Sequence, residues 1–242
     1  MPVSLKDQVV LVVGSSSGIG RETAVLFARE GARVMACARR EDRLKQLQDQ
    51  LEGEGFPIEI FTGDASIPED MNQLAASARE KLGPIDVMVY VTGTNTPERY
   101  LPKLTPPVWD HLINVNLNGA YYATQAVLPE MRERKSGHLI FVASISGLVP
   151  DVSGSAYQAS KRGMVGLSHA IRVEEKENGI RTCAVCPGLV ETEILEKRPV
   201  KPNAETLAKA LQPEDVAELV LAVAKLPVRA AVPEVQIMPT QL

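Results

Sequence analysis

The pentapeptide Tyr157-Gln-Ala-Ser-Lys161 sets a phenol and an ammonium four residues apart, the spacing that brings two side chains onto one face of a helix. A free phenol ionises near pH about 10 and is a poor base at neutrality. An ammonium one turn away favours the phenolate and can lower that value by about 1–3 units. A tyrosine so placed can give a proton to a carbonyl oxygen or take one from an alcohol. Ser144 lies upstream, at the end of a strand-like run, where its hydroxyl could hydrogen-bond the same oxygen as charge develops there. Its surroundings, Ala-Ser-Ile-Ser-Gly, are not a nucleophile elbow, and no Ser-His-Asp arrangement competes.

A second constellation suits phosphate. The run Val9–Val13 leads into Gly14-Ser-Ser-Ser-Gly18-Ile-Gly20, and a helical pattern follows. Glycines allow a tight turn and close approach of backbone N–H groups to a pyrophosphate, which the helix N-terminus also favours. The expected coenzyme contacts here are Gly14, Ser15, Ser16, Ser17, Gly18, Ile19 and Gly20, with the Ser15 and Ser16 hydroxyls as helpers. No Lys-Ser or Lys-Thr follows, which disfavours a P-loop triphosphatase. The next strand ends Cys37-Ala38-Arg39-Arg40. Ala38 stands where NAD sites carry an acid for the ribose hydroxyl, and Arg39 offers a planar charged fork for a 2′-phosphate, with Arg40 beside it. NADP(H) is therefore expected over NAD, unless the two arginines are only the solvated start of a helix.

Other chemistries find little support. Cys183 and Cys186 form a C-x-x-C, but on a strand rather than at a helix N-terminus, and residues three apart on a strand face opposite sides. A buried strand is the preferred reading over a redox pair. His111, His138 and His169 are scattered without ligand spacing, so no metal is expected. The 242 residues carry 26 Lys+Arg against 30 Asp+Glu, a net charge of −4, which argues against general affinity for nucleic acid or anionic membrane. No apolar run is long enough to span a bilayer. The opening Met1-Pro-Val-Ser-Leu-Lys-Asp has no leader pattern, so a cytoplasmic protein is expected.

The elements that must position these residues alternate. Strands are expected at 9–13, 33–37, 58–61, 86–91, 138–143, 182–186 and 234–238, and helices at 18–30, 41–51, 68–82, 108–134, 156–178 and 213–225. Pro68 and Pro213 suit first helical turns, and Gly31, Gly83 and Gly179 suit helix ends. Several strands are apolar throughout, as in a parallel sheet buried on both faces. The pattern predicts a Rossmann-type doubly wound α/β fold, with a seven-stranded parallel sheet and helices on both faces, as a single domain over 1–242. The irregular stretch 189–212, with Pro199 and Pro202, fits a mobile insertion covering a ligand better than a domain linker.

In the order and spacing of these pieces the chain resembles the short-chain dehydrogenase/reductase family, classical type, along essentially its whole length. The matching residues are the Gly14/Gly18/Gly20 turn, Asp64, Asn116 in Asn114-Val-Asn-Leu, Ser144, Tyr157, Lys161, and Pro187-Gly188 followed by Thr192. The resemblance implies Tyr157 as general acid/base and Ser144 as the group that orients the carbonyl. Lys161 would lower the tyrosine pKa and hold the nicotinamide ribose, with Asn116 supporting a water relay to it. Asp64 with Ala65 would meet the adenine, and Gly93 would leave room for the coenzyme. Pro187, Gly188, Val190 and Thr192 would line the nicotinamide, Thr192 near its carboxamide. Two departures stand out: Tyr90-Val-Thr-Gly93 replaces the family's Asn-Asn-Ala-Gly, and Val13 replaces a threonine.

The expected protein is an NADP(H)-dependent oxidoreductase of carbonyl-reductase type, acting on a small carbonyl or secondary alcohol and working physiologically in reduction. Alternatives are a 3-oxoacyl-thioester reductase, a catalytically idle NADP(H)-binding sensor, and a sugar epimerase of the family's extended branch, whose glycine turn and longer C-terminal region are lacking. By resemblance, 108–134 and 156–178 would assemble a homodimer or homotetramer. Pocket specificity falls to 93–104, 148–155 and 189–211. There Lys197, Arg198 and Lys201 either attract an anionic substrate, such as a carrier-bound acyl group, or form a solvated lid face.

Overall fold

Val9–Val13, strand β1, is buried along its whole length, as five apolar residues without polar alternation require. Val9, Leu11 and Val13 enter one apolar layer and Val10 and Val12 the other, because successive strand side chains face opposite ways. The computed structural model describes residues 3–242, and Met1 and Pro2, the first residues of the stretch read for a leader, lie outside them. The further strands are β2 (Arg33–Ala38), β3 (Glu59–Thr62), β4 (Ile85–Tyr90), β5 (Gly137–Val142), β6 (Ile180–Pro187) and β7 (Glu234–Ile237). Among the described residues these seven strands form one sheet in the order β3-β2-β1-β4-β5-β6-β7, every pairing parallel. This is the expected Rossmann-type doubly wound sheet.

Helices α1 (Gly18–Arg29), α2 (Glu41–Gly53) and α8 (Pro213–Ala224) cover one face through Phe27, Leu47 and Val220. Helices α3 (Pro68–Leu82), α5 (Gly119–Arg134) and α6 (Ser155–Glu174) cover the other through Leu74, Val127 and Met164. Pro68 and Pro213 each open a helix, where a missing N–H costs nothing. Cys183 and Cys186 fall in opposite layers, so the two thiols face away from each other across the sheet. Burial pushes them up to about 12 and about 11.

The long helix expected at 108–134 is divided. Helix α4 (Pro106–Ile113) runs into a π-helical turn, Asn114–Asn118, before α5 begins. Apolar periodicity does not register such a widened turn, because its side chains continue along nearly the same face. The 189–212 stretch is closed at its base by a parallel bridge between Val190 and Leu211, and it contains a 3₁₀ turn, Glu193–Lys197, and the short helix α7 (Ala204–Leu207). No helix among the described residues is long and apolar enough to cross a membrane.

Candidate active site

The strand order reverses between β1 and β4, and the crevice past such strand ends is where open α/β sheets hold ligands. The glycine turn lies there. The N–H groups of Gly14 and Ser15 both donate to the Cys37 carbonyl, at 2.8 and 3.0 Å. Gly14 adopts φ 110°, which favours glycine, and a Cβ on Gly20 would stand 2.1 Å from the Gly14 carbonyl oxygen. The turn therefore cannot take this shape with a side chain at either place. The expectation for Ser15 is corrected. Its hydroxyl donates to the Val12 carbonyl at 2.7 Å and the residue is fully buried. With its N–H committed to Cys37 as well, Ser15 braces the turn and has no donor left for a phosphate. Ser16, Ser17, Gly18 and Ile19 do line the cavity.

The two arginines after β2 differ. Arg40 donates to the Ser16 hydroxyl through Nε and Nη2 (3.0 and 2.8 Å), to the Ser17 hydroxyl (2.7 Å) and to Glu193 (2.7 Å). Together with Arg43 it holds the Glu193 carboxyl at about 2. Arg40 thus ties the glycine turn to the segment after β6. Arg39 keeps a largely exposed guanidinium, with only a 3.5 Å contact to Asp64. The Asp64 carboxylate accepts from the Ser66 N–H and hydroxyl (2.9 and 2.7 Å). Burial works to raise its pKa, but these bonds and Arg39 outweigh it and hold the group below the ordinary range. Asp64 and Ala65 both line the cavity.

Tyr157, Lys161 and Ser144, the residues expected to move the proton, converge on the same space. Tyr157 stands in the first turn of α6, Lys161 one turn on, and Ser144 just beyond β5. All three line the cavity that the glycine turn enters. Lys161 is buried, its Nζ lies 5.8 Å from the Tyr157 ring centre, and it donates to the Val142 carbonyl at 3.0 Å. Burial lowers this ammonium to about 8. The expected lowering of the phenol is not what the structure shows: enclosure raises the Tyr157 pKa, with the Ser144 hydroxyl opposing. Burial of the phenol is the largest cause, and the Lys161 ammonium, 5.8 Å from the ring centre, is turned to the Val142 carbonyl.

Asn116 sits in the π-helical turn, fully buried. It accepts from the Thr94 N–H (2.7 Å) and donates to the Thr94 carbonyl and the Ser160 hydroxyl (3.0 Å each). Tyr90, the departure from the family pattern, is also fully buried and donates to the Val115 carbonyl at 2.8 Å. The loop after β4 and the π-helical turn therefore hold each other. Gly93 lies between them, with its Cα side facing the Lys161 ammonium. Pro187 ends β6, and Gly188, Val190 and Thr192 follow along the cavity wall, the Thr192 methyl set against Gly18.

Sequence reasoning missed several groups here. Behind Ser144, its hydroxyl donates to Ser146 (3.2 Å), and Ser146 donates to Asp151, which also accepts from the Ser153 hydroxyl (3.1 Å). Arg99 lines the cavity although nothing in its local sequence marks it, and Met238 and Leu242 join the wall from beyond β7. The basic cluster divides. Lys197 and Arg198 line the cavity, whereas Lys201 pairs with Glu196 on the exposed side. The whole cavity measures about 880 Å³, within the range of cofactor and substrate pockets.

Comparison with known proteins agrees with this geometry. The family model described as short chain dehydrogenase matches residues 8–203. An uncharacterised oxidoreductase of Staphylococcus saprophyticus is 34% identical over 98% of each chain. Among solved structures, an actinorhodin polyketide ketoreductase variant with NADPH superposes with a TM-score of 0.89 at 30% identity, covering 99% of this chain and 98% of that one. The closed form of a serine dehydrogenase with NADP+ also reaches 0.89, at 31% identity over 97% and 96%.

Proposed function

The chain belongs to the short-chain dehydrogenase family of oxidoreductases, and on that premise we propose that it uses NADP(H) and interconverts a small carbonyl compound and its secondary alcohol. The observation that carries this reading is the convergence of Tyr157, Ser144 and Lys161 on the cavity that the glycine turn enters. The chain's own residues fit the coenzyme. The Gly14–Gly20 contact leaves backbone exposed where a Cβ would intrude, and Arg39 holds a charged fork free of any short ion pair. Ketoreductase and serine dehydrogenase structures with NADPH and NADP+ support the phosphorylated coenzyme.

NADP(H) would lie along Gly14, Ser16–Gly20, Arg39, Asp64, Ala65, Gly93, Pro187, Gly188, Val190 and Thr192. When bound it supplies hydride transfer at the carbonyl carbon. Ser144 would turn its hydroxyl proton from Ser146, which accepts it in the free protein, to the substrate oxygen, while the Ser146 N–H still donates to the Ser144 oxygen and holds it in place. Tyr157 gives its proton to that oxygen in reduction. Its raised pKa keeps the phenol protonated at neutral pH, which suits a proton donor. Lys161, lowered to about 8, can pass a proton toward the phenolate left behind. Asn116 acts by holding the Thr94 backbone and Ser160 in place beside this group. Tyr90 is spent on packing, so this departure from the family pattern gives no reason to regard the site as idle.

The same reading treats 1–242 as one coenzyme-binding unit, with 189–212 covering the substrate. It places the protein in the cytoplasm as a homodimer or homotetramer, assembled through α4, α5 and α6. Replacing Tyr157 by phenylalanine should lower kcat by at least about 10²–10⁴-fold. NADPH affinity, followed by fluorescence titration, should stay close to that of the parent. Undiminished turnover in this variant would refute the assigned roles.

A further inference from the structure

Besides Arg39, Arg40 and Lys161, three further cations line the cavity that Tyr157 faces: Arg99, Lys197 and Arg198. Of the other basic groups here, Arg40 pairs with Glu193, Lys201 with Glu196, Arg39 makes a 3.5 Å contact with Asp64, and Lys161 donates to the Val142 carbonyl. Among the described residues, Arg99, Lys197 and Arg198 have no ion pair at all. Arg99 is the telling one, because it is only 4% exposed. Its Nε and Nη2 donate to neutral carbonyls, those of Thr96 (3.1 Å) and Lys197 (2.8 Å). The Asp151 carboxylate, which lines the same cavity, is occupied by the Ser153 N–H (2.8 Å) and by the Ser146 and Ser153 hydroxyls. A buried guanidinium without an ion pair is costly, and crowding by Arg198 adds to the cost.

The cations also divide by place. Lys197 reaches the Thr94 hydroxyl at 2.5 Å and feels the charge of Arg39, toward the coenzyme end. Arg99 and Arg198 instead act on the Tyr157 phenol, favouring its ionised form against burial. Arg99 also packs against the start of α6, where a Cβ on Gly154 would stand 2.5 Å from the Arg99 side chain, so an anion received here would lie near Tyr157 in the first turn. In an acidic protein, a cationic patch inside a cavity also concentrates anions there.

We propose that the substrate carries an anionic oxygen group, a carboxylate or a phosphate, that Arg99 and Arg198 receive while its carbonyl meets Ser144 and Tyr157. This rests on the oxidoreductase reading above and narrows its substrate class to small oxo acids or oxo phosphates. Because Arg99 lies within the wall and not on the rim, the anion belongs to a small molecule that enters whole. The distant phosphate of a carrier-bound acyl group does not fit that position.

The test is NADPH-dependent reduction of matched pairs: acetoacetate and 4-oxopentanoate against their methyl esters, and dihydroxyacetone phosphate against dihydroxyacetone. At least one anion should exceed its neutral partner in kcat/KM by about 10–100-fold, mostly through KM, as charge-assisted bonds imply. The acid and phosphate arms distinguish the two sources of the anion. Arg99→Met and Arg198→Met should each bring that ratio toward one. Arg198 lies on the segment after the 3₁₀ turn and is only half-buried, so its variant keeps the test open if the Arg99 variant does not fold. Equal or better turnover of the neutral partners overturns the proposal and leaves the oxidoreductase reading standing. Loss of NADPH affinity in the variants, with the ratio unchanged, also overturns it, because the cations would then serve the coenzyme phosphates. A protein that binds NADPH but reduces no member of any pair defeats both readings.

Discussion

Replacing Lys161 by methionine should stabilise the protein at neutral pH while abolishing turnover. The ammonium is buried, and its pKa falls from 10.5 to about 8. At 1.36 kcal/mol per unit, keeping it charged inside the fold costs about 3 kcal/mol. Methionine fills a similar length without charge. It forfeits the 3.0 Å bond to the Val142 carbonyl, and a lost hydrogen bond of this kind returns about 1 kcal/mol or somewhat more. The net gain is about 1–2 kcal/mol, or about 3–6 °C in Tm for a chain of this size. The pH dependence carries the sign. Below pH 8 the lysine is protonated both folded and unfolded, and the full penalty applies. Between about 8 and 10.5 the folded protein releases its proton first, so the unfolded state binds more protons and parent stability rises with pH. The advantage of the variant should therefore be constant below pH 8, shrink above it by about 1.4 kcal/mol per pH unit, be gone at pH about 9–9.5, and reverse sign beyond that. Urea unfolding of both coenzyme-free proteins at pH 7, 8, 9 and 10 measures this, with NADPH-dependent reduction assayed alongside. A variant less stable than the parent at pH 7, or an advantage that does not change with pH, would refute the reasoning.

Two further outcomes follow from the site. Arg39→Ala should raise the Kd for NADPH by about 10–100-fold through loss of a charge-assisted bond to the 2′-phosphate. NADH, titrated in parallel, should bind nearly as before; equal weakening of both would assign Arg39 to some other task. Asn116→Ala leaves the buried N–H and carbonyl of Thr94 without partners, and the cost should be about 2–5 kcal/mol in urea unfolding. A loss below 1 kcal/mol would mean that the amide does not hold this loop.

The sheet was legible because its signals are local. A run such as 9–13 that is apolar on both faces states its own burial, and the glycine turn that follows it states its own shape. The Tyr157–Lys161 pair was legible for the same reason, since helix geometry alone sets four-residue neighbours on one face. The division of 108–134 by a π-helical turn was not. Its anchors, Tyr90 and Thr94, come from another strand and its loop. The split of the basic cluster 197–201 was equally hidden, because Lys197 and Lys201 find their partners at Thr94 and Glu196 on different sides of one segment.

The residues alone thus determined the layered sheet, the glycine turn and the pairing of Tyr157 with Lys161 on one helix face, all of which depend on periodicity and on neighbours within one turn of helix. Tertiary structure decided which hydroxyls remain free, turning Ser15 inward and leaving Ser16 on the cavity wall. It decided that the phenol rises and the ammonium falls in pKa. It also brought Arg99 into the cavity wall beside Tyr157 and Ser144 with carbonyl partners in place of an ion pair. Burial and charge pairing are set by groups distant in the chain, and only the folded arrangement brings those groups within reach of one another.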